Sequence, residues 1–475
     1  MTDWLPSIKH YPHFDKPIRP SDIKKLVTNP DAVAHNSFYP FMRFEEKWQP
    51  FRNKASGKPD KKIRELRFAS RRDAYIYSYY RYILRDRYEE ALCARGLSDN
   101  VIAYRKLETA SGKGKSNIDF ALDAFNIIQS YGKAAVVTLD ISKFFESIDH
   151  ELLRQKWAIL LGEPALPADH AAIFKAITRY SIVDRDAAYE RLGYLSWLVK
   201  EKGKIPVYST GFKDMPRQLC SNQEFRAKIC GKGGAFPSLI ETNNNPFGIP
   251  QGSPISDMLA NLYLIDFDYA IRQYVDKFGG AFFRYSDDII LIIPGGGQEA
   301  TAARDFAMSE IKNHGSQLII KDSKTSVLVY QPNGSTQSFE KLDGKQGANG
   351  LEYLGFRFDG RFAYLRDTTL SRLYRKVTRS IRAEARALVR RYPGKNQAFI
   401  EGKFDVPRFL QRYGRVENFD GGDGYDTWTF WTYAKRALNI FGTLGRPISG
   451  QLKNYGLIVR TQAKHEIAKA LAKAL

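Results

Sequence analysis

Cysteine is scarce in this chain of 475 residues. Cys93, Cys220 and Cys230 are too few and too widely spaced for a disulfide framework, and they form no CxxC zinc pair. That usage predicts a reducing, cytoplasmic setting. No apolar run approaches the ~20 residues that span a bilayer, and the polar start Met1-Thr2-Asp3 does not read as a signal peptide. Internal repeats and low-complexity segments are also missing. Acidic residues are the scarcer sign, 52 against 73 Lys and Arg, which leaves a formal charge of +21. Such an excess calls for a polyanionic partner, nucleic acid first and an anionic membrane surface second. With 43% hydrophobic and 13% aromatic residues the chain is globular, and its length allows roughly three domain-sized units.

The positive charge is uneven. Residues 366–475 hold 22 Lys and Arg against 9 Asp and Glu, a net +13 of the total. A second basic block runs from Lys54 to Arg72.

Against this background two adjacent acids stand out. In Phe282-Phe283-Arg284-Tyr285-Ser286-Asp287-Asp288-Ile289-Ile290-Leu291 the acids lie between two apolar, β-prone runs. The pattern predicts a strand, a tight turn and a second strand. Two like charges at one turn repel, so a cation is their natural partner. Far upstream, Val136 to Leu139 read as a buried strand ending at Asp140, an acid that needs compensation there. If that strand lay beside the hairpin, Asp140 and Asp287 could share two Mg²⁺ ions about 3.5–4 Å apart. Asp149-His150 could form an acid–base pair, but the simpler reading is a helix-start cap beyond the strand. Between the acidic segments, Gly248-Ile249-Pro250-Gln251-Gly252-Ser253-Pro254 predicts a rigid loop entering an amphipathic helix over Met258 to Val275.

Asp140 with Phe144-Phe145, then Pro250-Gln251-Gly252-Ser253-Pro254, then Tyr285-Ser286-Asp287-Asp288, in that order, resembles the palm of a reverse transcriptase. Gly315 to Thr325 is similar to the family's next palm motif, and Leu354-Gly355-Phe356 to its primer-grip hairpin. Arg64-Glu65-Leu66-Arg67-Phe68-Ala69 with Asp73 resembles the fingers segment. The likeness covers about residues 60–360. It implies an α+β right-hand polymerase fold with fingers, a split-βαβ palm and a largely helical thumb. The implied divisions are an N-terminal region with fingers over 1–135, palm over 136–161 and 246–360, an insertion of unread role over 162–245, and a basic thumb over 361–475.

The resemblance makes Asp140 and Asp287 the metal ligands for two Mg²⁺ ions, with Mn²⁺ able to substitute. The Ile141 backbone carbonyl is a third ligand and Asp288 supports the site. Arg64 heads the residues expected to cradle the triphosphate, followed by Lys62, Arg72 and Arg105. Gln251 is expected against the incoming nucleotide or its template base, and Lys324 near the leaving pyrophosphate. Phe145 sits where the family keeps a ring beneath the sugar that excludes a 2′-hydroxyl. Ser286 departs mildly from the residue usual between Tyr and the Asp pair. Gly114-Lys115-Ser116 ends like a P-loop, but Thr109 stands where the first glycine is required.

From Leu370 to Tyr392 the apolar residues keep helical spacing. Arg372, Arg375, Arg379, Arg382, Arg386 and Arg390 share that period on another face, suited to a phosphate backbone. Aromatics at Phe419 and Trp428 to Tyr433 read as core or as a stacking surface. No zinc-finger endonuclease, RNase H or integrase pattern appears. Ser37-Phe38-Tyr39-Pro40-Phe41-Met42 and the long thumb look most like bacterial defence-associated, abortive-infection-type reverse transcriptases. Expected partners are deoxynucleoside triphosphates, an RNA template such as a dedicated noncoding RNA, the DNA product, and either a second copy or a partner defence protein. The alternatives are a retron or group II intron-type enzyme, an RNA-dependent RNA polymerase, and a nucleic-acid-binding scaffold that has lost catalysis.

Overall fold

A computed structural model describes residues 11–48, 62–200, 203–211, 214–344, 348–413 and 430–474. Phe419, Trp428, the Lys62 side chain and the basic residues from Lys54 to Lys61 lie outside what is described. Helix and strand alternate along the chain, the mixed content expected. Among the described residues no helix is long and apolar enough to cross a membrane.

Strands β1 (Phe41–Trp48) and β2 (Lys62–Phe68) form an antiparallel pair. Strand β3 (Ala134–Asp140) is buried along almost its whole length. The segment 162–245 is not a separate lobe. Its β4 (Ser181–Asp184) pairs parallel with β1, β5 (Leu195–Lys200) and β6 (Gly203–Tyr208) make a hairpin, and β7 (Ile240–Thr242) pairs with β4. The first sheet therefore runs β2-β1-β4-β7.

A second sheet is built from β3, β8 (Ala281–Tyr285), β9 (Asp288–Pro294), β10 (Ser326–Asn333) and β11 (Thr336–Gly344) in the order β11-β10-β3-β9-β8. Helices before β8 and before β10 give a β-α-β-β-α-β chain order. Ile289 to Ile293 and Val136 to Val137 are fully buried, which explains their continuous apolar runs: helices or strands cover both faces. The expected single helix over 258–275 is divided into Ser256–Tyr263 and Ile265–Asp276. No Gly or Pro breaks it. The first piece packs on the His150–Leu161 helix, the second on β8 and the Gly297–Glu310 helix, so different partners set two axes.

A three-stranded sheet of β12 (Leu351–Tyr353), β13 (Phe356–Phe358) and β14 (Ala363–Leu365) follows. The helix Asp367–Arg391 buries Leu373, Val377, Ile381, Ala385 and Leu388 at the expected spacing, largely against the Tyr455–Leu471 helix.

Candidate active site

Antiparallel pairing of β3 with β9 sets Asp140 directly opposite Asp288. The β8–β9 hairpin closes on the pair Tyr285 and Asp288, so Ser286 and Asp287 form a two-residue turn. The Ile141 N–H donates to the Asp287 carbonyl at 3.1 Å, which ties the end of β3 to that turn. Three carboxylates from two adjacent strands thus converge.

Their titration shows the crowding. Burial, then Asp140, raises the Asp287 pKa, while Lys324 and Arg64 act to lower it. Asp288 keeps an open face to solvent, yet its surroundings push it up to about 7. Desolvation leads, followed by Asp287 and Asp140, with Arg366 and Lys324 opposing. The Lys324 ammonium forms an ion pair with Asp140 Oδ1. Among the described residues no group of three or more His, Cys, Asp or Glu could by itself hold a metal ion. The donors are hard, mutually repelling oxygens on an incomplete cage. They fit a Mg²⁺ ion that keeps water and phosphate oxygens in its shell.

The turn is strained and supported. Ser286 adopts φ 61°, unusual for a residue with a Cβ. Arg284 Nη1 donates to the Ser286 carbonyl at 3.1 Å, and the Tyr104 hydroxyl donates to Ser286 Oγ at 3.2 Å. Arg284 is wholly buried and pairs through two nitrogens with Asp268, also wholly buried, at 2.6 Å each. Its Nη1 also reaches Asn261 Oδ1 at 3.0 Å. Arg284, Asp268 and Asn261 were not among the residues picked out from the sequence. A lone arginine within an apolar strand was the available signal, because a buried guanidinium demands a carboxylate.

The Gln251 loop is locked to β2. The Arg67 N–H donates to the Gln251 carbonyl at 3.1 Å. Gly252 has φ 110°, and a Cβ there would lie 2.3 Å from the Arg67 carbonyl oxygen, so only glycine permits the approach. On the same strand Arg64 is exposed and its charge is felt at Asp287. Phe144 enters the core at 3% exposure while Phe145 stays half-buried. The Ile249 N–H donates to the Phe145 carbonyl at 2.8 Å, which joins that ring's backbone to the Gln251 loop. Asp149 caps the following helix by accepting from Leu152 N at 2.9 Å, and His150 Nε2 bonds the Gly248 carbonyl at 2.8 Å.

Two basic residues lie elsewhere. Arg105 is committed to Glu89, with Nε–Oε1 at 2.8 Å, and to the Ser98 and Val101 carbonyls. A guanidinium so satisfied is a structural tie and is not open to a triphosphate. Arg72 lines a cavity walled by residues 35–40 with Asn222, Phe225 and Arg226, and Asp140, Asp287 and Asp288 are not part of it. Gly114-Lys115-Ser116 makes no phosphate cradle: Ser116 caps the Asn117–Ser130 helix with Asp119, and Lys115 pairs with Asp123 at 2.8 Å.

Leu354 and Gly355 both have positive φ, 45° and 93°, and join β12 to β13 through the pair Tyr353 and Phe356. Asn117 Nδ2 donates to the Leu354 carbonyl at 3.0 Å and lies 2.9 Å from the Tyr433 hydroxyl. Phe356 is fully buried, so its ring supports the turn from beneath and Leu354 and Gly355 form the presented part. Burial raises the Tyr353 pKa well above its ordinary value, and Asp288 adds to this, so this small sheet adjoins the carboxylates. On the Asp367–Arg391 helix, Arg372, Arg379, Arg386 and Arg390 are exposed and Arg375 is half-buried. Arg382 is exposed too, and makes a two-pronged pair with Glu466 at 2.8 and 2.9 Å.

No family model matches the chain. A stretch of 79 residues is 38% identical to the Retron Ec86 reverse transcriptase of Escherichia coli, covering 17% of this chain and 24% of that protein. Apo telomerase from Candida tropicalis aligns over 95% of this chain and 68% of its own, at 11% identity and a TM-score of 0.36. Telomerase from Candida albicans in complex with a fragment of telomeric RNA aligns over 96% and 67%, at 10% identity and the same score. Likeness of that degree establishes no shared activity. The chain spans about a quarter of the length of the curated relative, and over that stretch its sequence is similar to a reverse transcriptase.

Proposed function

We propose that the chain is an RNA-directed DNA polymerase that extends a 3′-hydroxyl with deoxynucleoside triphosphates. The observation that carries this reading is the convergence of Asp140, Asp287 and Asp288 at the joined ends of β3 and the β8–β9 hairpin, with Arg64 and Lys324 felt at the same carboxylates. Asp140 and Asp287, with the Ile141 carbonyl, would hold Mg²⁺, which supplies charge neutralisation and lowers the pKa of the attacking hydroxyl.

The chain's own residues supply position and charge. Arg64 on β2 would bind triphosphate oxygens, since phosphoryl transfer is mostly alignment and neutralisation. Gln251, locked to the same strand through Arg67, would sit against the nucleotide. Phe145 would lie under the sugar and leave no room for a 2′-hydroxyl. Lys324 would move from Asp140 to the leaving pyrophosphate and deliver its proton there. The Leu354-Gly355 turn would position the primer end, and the exposed arginines of the Asp367–Arg391 helix would follow its backbone.

Within this class, residues 37–42 and the long C-terminal region support a bacterial antiphage-defence enzyme. The local match to a retron protein supports a retron-type enzyme as the second reading. The test is Mg²⁺-dependent incorporation of labelled deoxynucleotides by purified protein, with Asp287→Asn as control and co-purifying nucleic acid sequenced to identify the template. Incorporation that depends on Asp287 supports the polymerase. Its absence with every template, primer and co-purified RNA would establish a binding scaffold, and a preference for ribonucleotides would establish an RNA polymerase.

A further inference from the structure

We propose that the cavity holding Arg72 binds one nucleotide unit, base and phosphate together, at a place separate from the carboxylate site. The cavity measures about 560 Å³ and is walled by the 35–40 loop, the start of the Arg71–Ala94 helix, and Asn222, Phe225 and Arg226. That volume lies within the range of sites for small organic ligands.

Its chemistry has two halves. Arg72 and Arg226 both line it, and no Asp or Glu does. Among the described residues neither guanidinium has an ion-pair partner. Arg72 is held in place through its backbone, whose N–H donates to Asp15 Oδ2 at 3.1 Å. Asn36 is fixed likewise, with Nδ2 donating to Asp73 Oδ1 at 3.1 Å. Two guanidiniums on one cavity match phosphate oxygens. The second half is aromatic. Tyr39 and Phe225 line the same space with ring centroids 5.4 Å apart at 66°. Asn222 stands beside them, an amide able to read a base edge.

A bare inorganic anion would use the arginines and leave the rings idle. An unphosphorylated aromatic would leave two cations without a partner. A nucleotide uses both. Two sources offer that chemistry, a free mononucleotide and a single residue of a nucleic-acid strand. The site needs no catalysis, so it stands or falls apart from the polymerase reading.

Photocrosslinking in EDTA tests it, on full-length protein carrying Asp287→Asn so that synthesis does not enter. The probes are 8-azido-ATP and a short single-stranded RNA containing 4-thiouridine. The expected label maps to peptides containing residues 35–40 or 222–226, and Arg226→Glu weakens it about tenfold, the loss of roughly one charged contact. Exposed Arg154→Glu serves as the control for general electrostatics and leaves the label unchanged. Labelling by the azido nucleotide identifies the free ligand, and labelling by RNA alone identifies a strand residue. Arg226→Gln repeats the measurement without reversing charge, should the first variant fold poorly. Label found only on other peptides, undiminished label in both Arg226 variants, or an equal loss in Arg154→Glu would each overturn the site.

Discussion

Arg284 and Asp268 form a fully buried, two-pronged ion pair directly beneath the Ser286-Asp287 turn. The pair ties that strand to the Ile265–Asp276 helix, and Arg284 also carries the Ser286 carbonyl. Removing one partner of a buried pair leaves an uncompensated charge and costs about 3–5 kcal/mol. Asp268→Ala is therefore expected to lower unfolding free energy by about that amount in urea titration. Arg284→Met should cost as much and also release the turn. A loss below about 1 kcal/mol in both variants, the range of an exposed pair, would contradict this account.

A second buried knot predicts how stability follows pH. His13, Asp15 and Arg71 meet in the core, and Asp73 lies beside them under Tyr39 and Asn36. Desolvation, then Arg71, lowers the His13 pKa to about 3. The unfolded imidazole has a pKa near 6.5, so the folded state loses stability as pH falls from about 6.5 towards 3. Desolvation raises Asp73 to about 6 against hydrogen bonds from Ser70, Tyr39 N and Asn36. Its unfolded value is near 3.9, so this group costs stability as pH rises from about 4 to 6. Between about pH 6 and 4 the two contributions oppose and nearly cancel, so urea midpoints are expected to fall on acidification from about 6.5 to 6 and again below about 4. Replacing His13 by Gln should remove that fall, and Asp73→Asn should extend it through the interval from about pH 6 to 4. A His13→Gln profile parallel to the parent's would refute the assignment.

Gly252 offers a backbone test of the loop on β2. An added Cβ would stand 2.3 Å from the Arg67 carbonyl, and φ 110° is unfavourable for any side chain. Gly252→Ala should push the Gln251 loop off the strand that carries Arg64. The expected reading is a KM for deoxynucleotide raised roughly tenfold, equivalent to about 1.4 kcal/mol, with overall stability changed by about 1–3 kcal/mol. An unchanged KM would mean that the Arg67–Gln251 bond does not position the nucleotide.

The sequence carried the carboxylates because alternating apolar runs specify strands and an acid at a strand end is expensive without a purpose. It carried the helix Asp367–Arg391 because apolar residues recur at its period. Pairing was less legible. Nothing local to Ser181–Asp184 or Ile240–Thr242 tells that they extend the β1–β2 sheet, because strand partners are chosen by tertiary packing. Arg105 is held by Glu89, sixteen positions away on another element, and its local sequence carries no sign of that. The Leu354 turn was legible as a hairpin, but its support by Asn117 and Tyr433 joins positions hundreds of residues apart.

The arginine face of the Asp367–Arg391 helix divides into two kinds. Arg379, Arg382 and Arg386 are all exposed, but Arg382 is engaged by Glu466. For a nucleic-acid duplex, each phosphate contact contributes about −0.9 to the slope of log affinity against log salt. Arg379→Ala and Arg386→Ala should each weaken template–primer binding and flatten that slope by about one. Arg382→Ala should leave the slope alone, since its charge is already balanced. Equal slopes in all three variants would show that this face does not follow the phosphate backbone.

Phe145 tests the identity of the sugar. Its neighbour Phe144 is consumed by the core, so a half-buried ring at 145 is the one of the two that can meet a ligand. Its backbone is fixed by the bond from Ile249 N, at the root of the Gln251 loop. A rigid ring under the sugar rejects a 2′-hydroxyl by overlap, and overlap disappears when the ring does. Phe145→Ala should therefore raise incorporation of ribonucleotides relative to deoxynucleotides by about tenfold or more, equivalent to at least 1.4 kcal/mol of lost discrimination. Phe144→Ala opens a cavity in the core and should instead lower stability by about 3–5 kcal/mol. It should not change the choice of sugar. If Phe145→Ala discriminates as the parent does, the ring lies elsewhere than under the sugar.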